Sequence, residues 1–453
     1  MIDTYIMVYN LRRVIFYGFL LLFLVIAPCI LLYAQGYSLD WQKKSIIKTG
    51  ALYLKTKPKS ALVYINGKLV TKTPCLIKRL VPGDYQINIT LPGFYNWQKN
   101  LTINSNLVTE AREIVLIPQN PEIKYPTDNR VDLFNFNDNS SKLVFWQITD
   151  PQQITYINLN QNTRSNLQFS GPTPIEFSWS SQNDKLLVQQ TNNQWFVVDL
   201  TKQKTINLAS KDKNAKIIKT TWQPNNNGKI IFLQGHNLYS QSIDISVAPQ
   251  KISDNVADFI INNGSILFLK QPGYILYKSD FSGNNQNQLT LKPLLQSTTQ
   301  TKIITDGNNI GLLADDNLYL LEPNLRVFQL LGKKIINADF SPDTKKLAIQ
   351  TSNEIFVVYL EKQTSQPQKT AGQKDLLVRL SQPIKKITWH PYDSSHIIYS
   401  TTDTIKVIEI DNRDNINSLD FIKTNSTKWQ YLAKNKTFYF LNDNNKLSAI
   451  KLN

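Results

Sequence analysis

The feature that most constrains this chain is a run of twenty uncharged, mostly apolar residues from Val14 to Tyr33. At a rise of 1.5 Å per residue, this run matches the hydrocarbon core of a bilayer, which is about 30 Å thick. No other segment of the 453 residues resembles it, and the rest has the short, turn-punctuated pattern of β-structure. We expect a transmembrane anchor over residues 14–34, after an N-terminal tail over residues 1–13.

The charges around this run do not settle its orientation. Arg12 and Arg13 precede it, and three lysines follow it, at Lys43, Lys44 and Lys48, so the positive-inside rule favours neither side. A short tail followed by a large C-terminal body favours a signal-anchor with the body outside the cytoplasm.

Two alternatives to an uncleaved anchor stay open. A cleaved signal peptide has an apolar core of only about 7–15 residues, and Leu32-Tyr33-Ala34 is a poor cleavage site. A lipoprotein signal would use Cys29, but Pro28 precedes it and apolar residues continue after it. The second cysteine, Cys75, lies in the body, so we expect no intramolecular disulfide and no cysteine metal cluster.

The positive charge is concentrated next to the anchor. Residues 40–118 contain 12 Lys and Arg against 4 Asp and Glu, whereas residues 119–453 contain 36 against 29. One interpretation is attraction to an anionic envelope surface. The other is a well-solvated domain in a chain that is generally rich in Asn, Lys and Ile.

Strand and turn signals alternate between Gly50 and Leu116, after a predicted linker over residues 35–48. Alternating strands such as Tyr85 to Thr90 are separated by turns, of which Asn66-Gly67 is a strong hairpin signal. The pattern predicts a small antiparallel β-sandwich over residues 49–118.

The order of motifs in this sandwich resembles the PEGA domain family. The matching segments are Pro58 to Ala61, Val63 to Gly67, Thr73-Pro74, Pro82 to Tyr85 and Gly93-Phe94. The resemblance implies an accessory module of bacterial-type envelope proteins, without catalytic residues. The family's Pro-Glu-Gly-Ala reads Pro58-Lys59-Ser60-Ala61 here, and without the glycine we expect no left-handed turn residue at this point.

A second pattern repeats through residues 119–453: an aromatic anchor, a polar turn, a hydrophobic strand, a second turn and a second strand. Clear copies begin near Phe177-Ser178-Trp179, Trp222, Phe340 and Trp389, and weaker copies centre on Phe136, Phe259, Ile304 and Leu432. Spacings of about 36–49 residues are typical of four-stranded propeller blades. We expect eight blades, or seven if one weak copy is misread, with the anchors packed in the core.

The run from Phe340 to Ala348 resembles the repeats of TolB-like and WD-repeat-like β-propellers. The fold class expected is therefore all-β: a transmembrane helix, a PEGA-like sandwich and a β-propeller. The last repeat supplies only three strands, between Trp429 and Leu452. We expect residues 121–126 to pair with Lys446 to Leu452 as its missing outer strand, because an open edge must be satisfied.

The sequence contains few residues or motifs that are typical of catalysis or metal binding. Its three histidines are His236, His390 and His396, and neither His390 nor His396 has a plausible metal partner at short spacing. We expect His390 to face solvent. The phosphate loop and the Gly-x-Ser-x-Gly elbow are both missing, so we predict no catalytic, cofactor-binding or metal-binding residues and no cofactor.

Three aspartates lie in predicted hairpin loops. Asp315, Asp316 and Asp403 would suit calcium or sugar chemistry, but turn aspartates mostly make local hydrogen bonds. The diffuse charge also disfavours nucleic-acid binding.

Two functions remain. The preferred one is a non-enzymatic, membrane-anchored binding scaffold for an envelope protein or polysaccharide, with the basic sandwich as a stalk. The alternative is an envelope glycan hydrolase or lyase with its site in the propeller's central cleft. Converging carboxylates in that cleft would favour the enzyme, and a lining of Asn, Gln and aromatic residues would favour binding.

Overall fold

The computed structural model describes residues 2–40, 45–127, 129–137, 139, 141–169, 171–208, 215–244, 247–294, 298–390, 393–432 and 434–451. They form two compact units. Unit 1 contains residues 1–120, 363–368 and 411–417, and unit 2 contains residues 121–362, 369–410 and 418–453.

Unit 1 begins with α1, the only helix among the described residues. The helix runs from Ile2 to Ala34 and contains Pro28. It includes the described part of the predicted tail, because neither proline nor glycine interrupts the sequence before Gly18. Its segment Arg13–Ala34 is long and apolar enough to cross a membrane, with a mean hydropathy of 2.8.

The predicted linker contains regular structure. Strands β1 (Tyr37–Asp40) and β2 (Ser45–Lys48) form a two-stranded antiparallel hairpin. The β-sandwich follows, with seven strands in the described residues: β3 (Gly50–Lys57), β4 (Leu62–Ile65), β5 (Lys68–Lys72), β6 (Cys75–Leu80), β7 (Gly83–Thr90), β8 (Trp97–Ile103) and β9 (Val108–Val115).

The sandwich has two sheets, of order β6-β3-β9 and β5-β4-β7-β8. The expectation of a wholly antiparallel sandwich is wrong at one place, because β3 and β9 pair in parallel. These strands come from opposite ends of the domain, so no tight turn forces them to run antiparallel. Side chains alternate between buried and exposed along β8, and between buried and partly exposed along most of β3, as a pleated strand with one covered face requires.

One buried position of β8 holds a lysine. Lys99 is 0% exposed, and its ammonium group donates to the carbonyl oxygens of Asp411, Arg413 and Asn415, at 2.7, 2.9 and 2.5 Å. These acceptors belong to the 411–417 segment of unit 1. The three carbonyls replace water around the ammonium group, and that is what permits its burial.

Unit 2 consists of eight four-stranded sheets in the described residues. Strands β11–β38 form seven of them in chain order: β11 (Leu133–Phe136), β12 (Lys142–Trp146), β13 (Gln153–Asn158), β14 (Thr163–Gln168); β15 (Pro174–Trp179), β16 (Lys185–Gln190), β17 (Trp195–Asp199), β18 (Lys204–Asn207); β19 (Ile217–Trp222), β20 (Lys229–Gln234), β21 (Asn237–Ser242), β22 (Gln250–Ser253); β23 (Val256–Asn262), β24 (Ser265–Lys270), β25 (Ile275–Ser279), β26 (Asn287–Gln288); β27 (Thr301–Thr305), β28 (Ile310–Ala314), β29 (Asn317–Glu322), β30 (Val327–Gly332); β31 (Asn337–Phe340), β32 (Lys346–Gln350), β33 (Glu354–Tyr359), β34 (Lys374–Arg379); β35 (Lys386–Trp389), β36 (His396–Ser400), β37 (Thr404–Glu409), β38 (Ser418–Lys423). We call these sheets blades 1 to 7.

Blade 8 combines both ends of the unit. It contains β39 (Trp429–Leu432), β40 (Thr437–Leu441), β41 (Leu447–Lys451) and β10 (Ile123–Lys124), in the order β10-β41-β40-β39. Ile123 pairs with Ile450 and Lys124 with Ala449. The predicted pairing of residues 121–126 with the last blade is therefore confirmed.

Neighbouring blades share hydrophobic cores. The buried cluster between blades 1 and 2 includes Val144, Phe177 and Val188, and the cluster between blades 8 and 1 includes Phe136 and Leu441. Most predicted anchors are buried in these layers, whereas Trp179 and Phe340 are half-buried. Since a single sheet cannot cover both of its faces, each blade depends on its two neighbours.

Candidate functional site

The first strands of neighbouring blades face one another around the centre of unit 2, and polar side chains join them. Side chains on several first strands are hydrogen-bonded to the backbone of the next blade. Examples are Asn135 (β11), Asp258 (β23), Lys386 (β35) and Gln430 (β39). Gln430 contacts both the N–H and the C=O of Phe136, so it joins blade 8 to blade 1.

A charged pair joins blades 3, 4 and 5. The Lys219 ammonium group lies 2.7 Å from a carboxylate oxygen of Asp258 and also donates to the Phe259 carbonyl at 2.6 Å. The second Asp258 oxygen accepts a hydrogen bond from the Ile303 N–H at 2.7 Å. Both oxygens of this buried carboxylate are therefore occupied, which identifies the pair as a structural link between blades.

A second charged group joins blades 6 and 7. Asp339 on β31 accepts hydrogen bonds from the Thr388 hydroxyl at 2.9 Å and the Trp389 N–H at 3.2 Å. Burial raises the pKa of the Asp339 carboxyl, and the hydrogen bonds and nearby lysines only partly oppose this. Burial likewise lowers the pKa of Lys386, whose ammonium group lies 4.1 Å from the ring centroid of Trp429.

These two groups border a cavity of about 540 Å³ between the first strands of blades 4 to 7. Its polar lining includes Lys302, Asp306, Asn337, Asp339 and Lys386, and its apolar lining includes isoleucines and Phe340. This volume lies within the range of small-molecule sites, about 300–1,000 Å³. A mixture of apolar walls and a few convergent charges can fix the position of a polar ligand.

Lys302 differs from its neighbours in this cavity. It is exposed, and within the described part of the chain its ammonium group makes no hydrogen bond or contact ion pair. Lysine at the end of a flexible side chain binds anionic groups as a point charge. Lys302 is therefore the group in this cavity that is most available to a ligand.

The two carboxylates of the cavity are held by their surroundings. Asp306 accepts hydrogen bonds from the N–H groups of Asn308 and Asn309 and from the Asn309 side-chain amide. Asp339 is bound to blade 7, as described above. In the described residues, no group of three or more His, Cys, Asp or Glu side chains is placed to hold a metal ion.

The expectation that His390 faces solvent is wrong. His390 and His396 are both buried, and their Nδ1 atoms lie 2.9 and 3.0 Å from the carboxylate of Asp393. The corresponding turn of blade 6 joins Ser341, Asp343 and Lys346. Blade 7 thus replaces the serine and the lysine of that turn by histidines, and a buried carboxylate keeps both rings in the turn.

The three aspartates in hairpin loops have local partners or lie at the surface. Asp315 accepts hydrogen bonds from the Thr299 N–H and hydroxyl and from the Gln300 N–H. Asp403 accepts from the hydroxyls of Thr401 and Thr404, and Asp316 is exposed. The arrangement matches the local hydrogen bonding expected of turn residues.

The sequence did not single out Lys302, Asp339 or Lys386 as site residues. Each lies in a short first strand that also contains hydrophobic residues. A charged residue inside such a strand is the feature by which the sequence could have indicated a site residue. The sequence pattern does not predict that these three residues lie close together, because they belong to three different blades.

Comparison with known proteins agrees with this architecture. The sequence model of the PEGA domain matches residues 49–115, and this part of the chain is a PEGA domain. No curated protein matches the chain in sequence.

Among solved structures, a crystal structure of the eukaryotic initiation factor is 9% identical, covers 70% of this chain and 83% of its own, and superposes with a TM-score of 0.51. The C-terminal WD40 domain of Sif2 is 12% identical over 80% of this chain and 97% of its own, with a TM-score of 0.46. The Myceliophteria thermophila Cps50 (Swd1) β-propeller domain is 14% identical over 66% of this chain and 99% of its own, with a TM-score of 0.40. Together with the ring of four-stranded sheets, the first of these similarities identifies the fold: the chain combines an N-terminal apolar helix and a PEGA domain with a β-propeller.

Proposed function

We propose that this protein is a non-enzymatic binding scaffold, anchored in a membrane by residues 14–34, with its PEGA domain and propeller outside the cytoplasm. The long apolar helix supports the anchor. The propeller supports binding, because its repeats bring side chains from several blades to one centre. The partner class that fits is an envelope protein or polysaccharide with an anionic group.

The observation that carries this proposal is the cavity in which the ammonium group of Lys302 makes no hydrogen bond or contact ion pair with any described residue. The two carboxylates that line the cavity accept hydrogen bonds from neighbouring residues, so they lack the freedom expected of an acid and base pair. Lys302 can pair with a ligand carboxylate, sulfate or phosphate without first breaking a hydrogen bond or a contact ion pair to a described residue.

The experiment compares ligand capture by two charge-reversed variants of the full-length protein in detergent. Lys302→Glu should reduce retention of an anionic envelope component about tenfold or more, since one lost contact of about 1.4 kcal/mol is a factor of ten. Lys333→Glu is the matched control, because Lys333 is an exposed lysine in the turn before β31 and does not line the cavity. Equal retention by both variants would contradict the proposal.

One observation favours the alternative, an envelope glycan hydrolase or lyase. Asp339 has a raised pKa, and such groups cluster at catalytic sites. An enzyme would release shorter glycans from envelope polysaccharide, and Asp339→Asn would abolish that release while leaving capture intact. If the protein is a binding scaffold, neither the unsubstituted protein nor Asp339→Asn should release shorter glycans.

A further inference from the structure

The surface where α1 meets the rest of unit 1 has features that the binding proposal does not use. Helix α1 ends at Ala34, and Gly36 turns the chain with a φ of +85°. Strand β1 begins at Tyr37. Three Cα–Cα steps span at most about 11 Å, so the β1–β2 hairpin starts directly beside the end of the apolar helix.

One face of this hairpin has an amphipathic composition. Tyr37 pairs with Lys48, and Leu39 pairs with Ile46; all four side chains share one face because strand positions alternate. Leu39 is 45% exposed and Ile46 is 58% exposed. The Lys48 ammonium group lies 5.3 Å from the ring centroid of Tyr37. We call these four residues the hairpin face.

Two sets of contacts involve the residues at the helix end. Thr49, which follows β2, donates both its N–H and its hydroxyl to the Gly36 carbonyl, at 2.9 and 2.7 Å. On β6, the guanidinium group of Arg79 lies 3.2 Å from the ring centroid of Tyr33 and donates to the Tyr33 carbonyl at 3.4 Å. The Thr49 bonds therefore close the base of the hairpin directly after the helix, and the Arg79 contacts join the helix end to β6.

We propose that the hairpin face lies in the headgroup region of the membrane that α1 spans and recognises anionic phospholipids. Leu39 and Ile46 insert among the upper acyl chains, Tyr37 occupies the interface that aromatic residues prefer, and Lys48 and Arg79 pair with lipid phosphates. This assignment rests on the proposed membrane anchor. It follows from the continuity of the hairpin with α1, from its exposed apolar pair and from its positive charge.

The test places a fluorescent probe on the hairpin face of the full-length protein in lipid vesicles. Cys29 and Cys75 are replaced by serine, and Ile46→Cys supplies one labelling site. Leu69→Cys on β5 is the matched control, because Leu69 is also an apolar residue that is 58% exposed. The vesicles contain phosphatidylcholine alone or with 30% phosphatidylglycerol, and each set contains a lipid-attached quencher.

We expect the quencher to reduce the fluorescence of the probe at position 46 at least threefold more than that of the probe at position 69. Added phosphatidylglycerol should increase this difference, and Lys48→Glu together with Arg79→Glu should remove the increase. Equal quenching at both positions would overturn the proposal. So would protection of position 46 that grows with protein density in the vesicles, which would indicate a second copy of the chain as the occupant.

Flotation of the vesicles separates this proposal from the proposed anchor. A protein that does not float with the vesicles after high-salt washing lacks the anchor, and the proposed function then fails. A protein that floats but shows equal quenching keeps its anchor and contradicts the hairpin assignment alone. Thermal unfolding of each labelled variant shows that the folded body is retained.

Discussion

At the scale of single residues, the backbone conformation of Ser60 shows that the expectation of no left-handed turn residue in the Pro58–Ala61 motif is wrong. Ser60 stands where the PEGA motif has glycine, and its φ is +68°. The left-handed turn residue is therefore required here although the glycine is missing. The Ser60 N–H donates to the Thr73 carbonyl at 2.8 Å, and this bond fixes the turn between β3 and β4.

Replacing Ser60 by glycine should stabilise the PEGA domain. A residue other than glycine in the left-handed region costs about 1–2 kcal/mol, so its replacement by glycine removes this cost. Glycine loses more conformational freedom on folding, which offsets part of the stabilisation. We expect the free energy of unfolding to rise by up to about 1 kcal/mol in urea denaturation. Ser60→Ala is the control, since it removes the hydroxyl and keeps the Cβ; an equal gain in both variants would refute the backbone explanation.

At the scale of elements, the turn between β35 and β36 depends on a buried carboxylate. Burial alone would raise the pKa of the Asp393 carboxyl. The charge of His396, the close contact with His390 and the hydrogen bond to His396 outweigh burial and lower this pKa far below its ordinary value. A carboxyl with a lowered pKa stabilises the fold above its unfolded value of about 3.9, and this stabilisation is lost as the pH falls through the lower, folded value.

Asp393→Asn should therefore destabilise the propeller at pH 6, by about 1–3 kcal/mol for the loss of a buried charged partner. The difference from the unsubstituted protein should shrink as the pH is lowered from 5 to 3. Denaturant unfolding at each pH measures it. Asp316→Asn, which changes an exposed carboxylate, should have little effect at any of these pH values, and a difference for Asp393→Asn that grows on acidification would contradict the assignment.

The sequence predicts the local elements of the fold but not which distant elements contact one another. The apolar helix, the Asn66-Gly67 turn and the aromatic anchors depend on residues close together in the chain, and these expectations agree with the structure. The parallel pairing of β3 with β9, the burial of Lys99 and the contacts of Lys302, Asp339 and Lys386 depend on segments far apart in sequence. No local sequence pattern specifies which distant strands become neighbours, so these features are visible only in the structure.

At the scale of the whole molecule, the ring is closed by both ends of unit 2. Strand β10 supplies the outer strand of blade 8 through two paired residues, Ile123 and Lys124. Gln430 and the shared core of blades 8 and 1 close the inner side. Loss of either connection exposes interfaces on two blades, because each blade depends on its neighbours.

Replacing residues 121–126 by a Gly-Ser segment of equal length should thus destabilise every blade together. The substitution removes the pairing with β41 and leaves an open edge strand, which releases one end of the ring. We expect a lower urea midpoint for unit 2 and an equal loss of amide-hydrogen protection in all eight sheets. Because proteins open in cooperative units, hydrogen exchange separates such global opening from local fraying.

The matched control makes the same replacement at residues 285–290. That segment contains β26, which is also a two-residue outer strand, but it belongs to blade 4 and comes from the same repeat as its partner β25. Its loss should reduce protection in blade 4 and leave distant blades unchanged, because the ring stays closed at blades 8 and 1. Local loss confined to blade 8 after replacement of 121–126 would show that β10 completes one sheet without closing the ring.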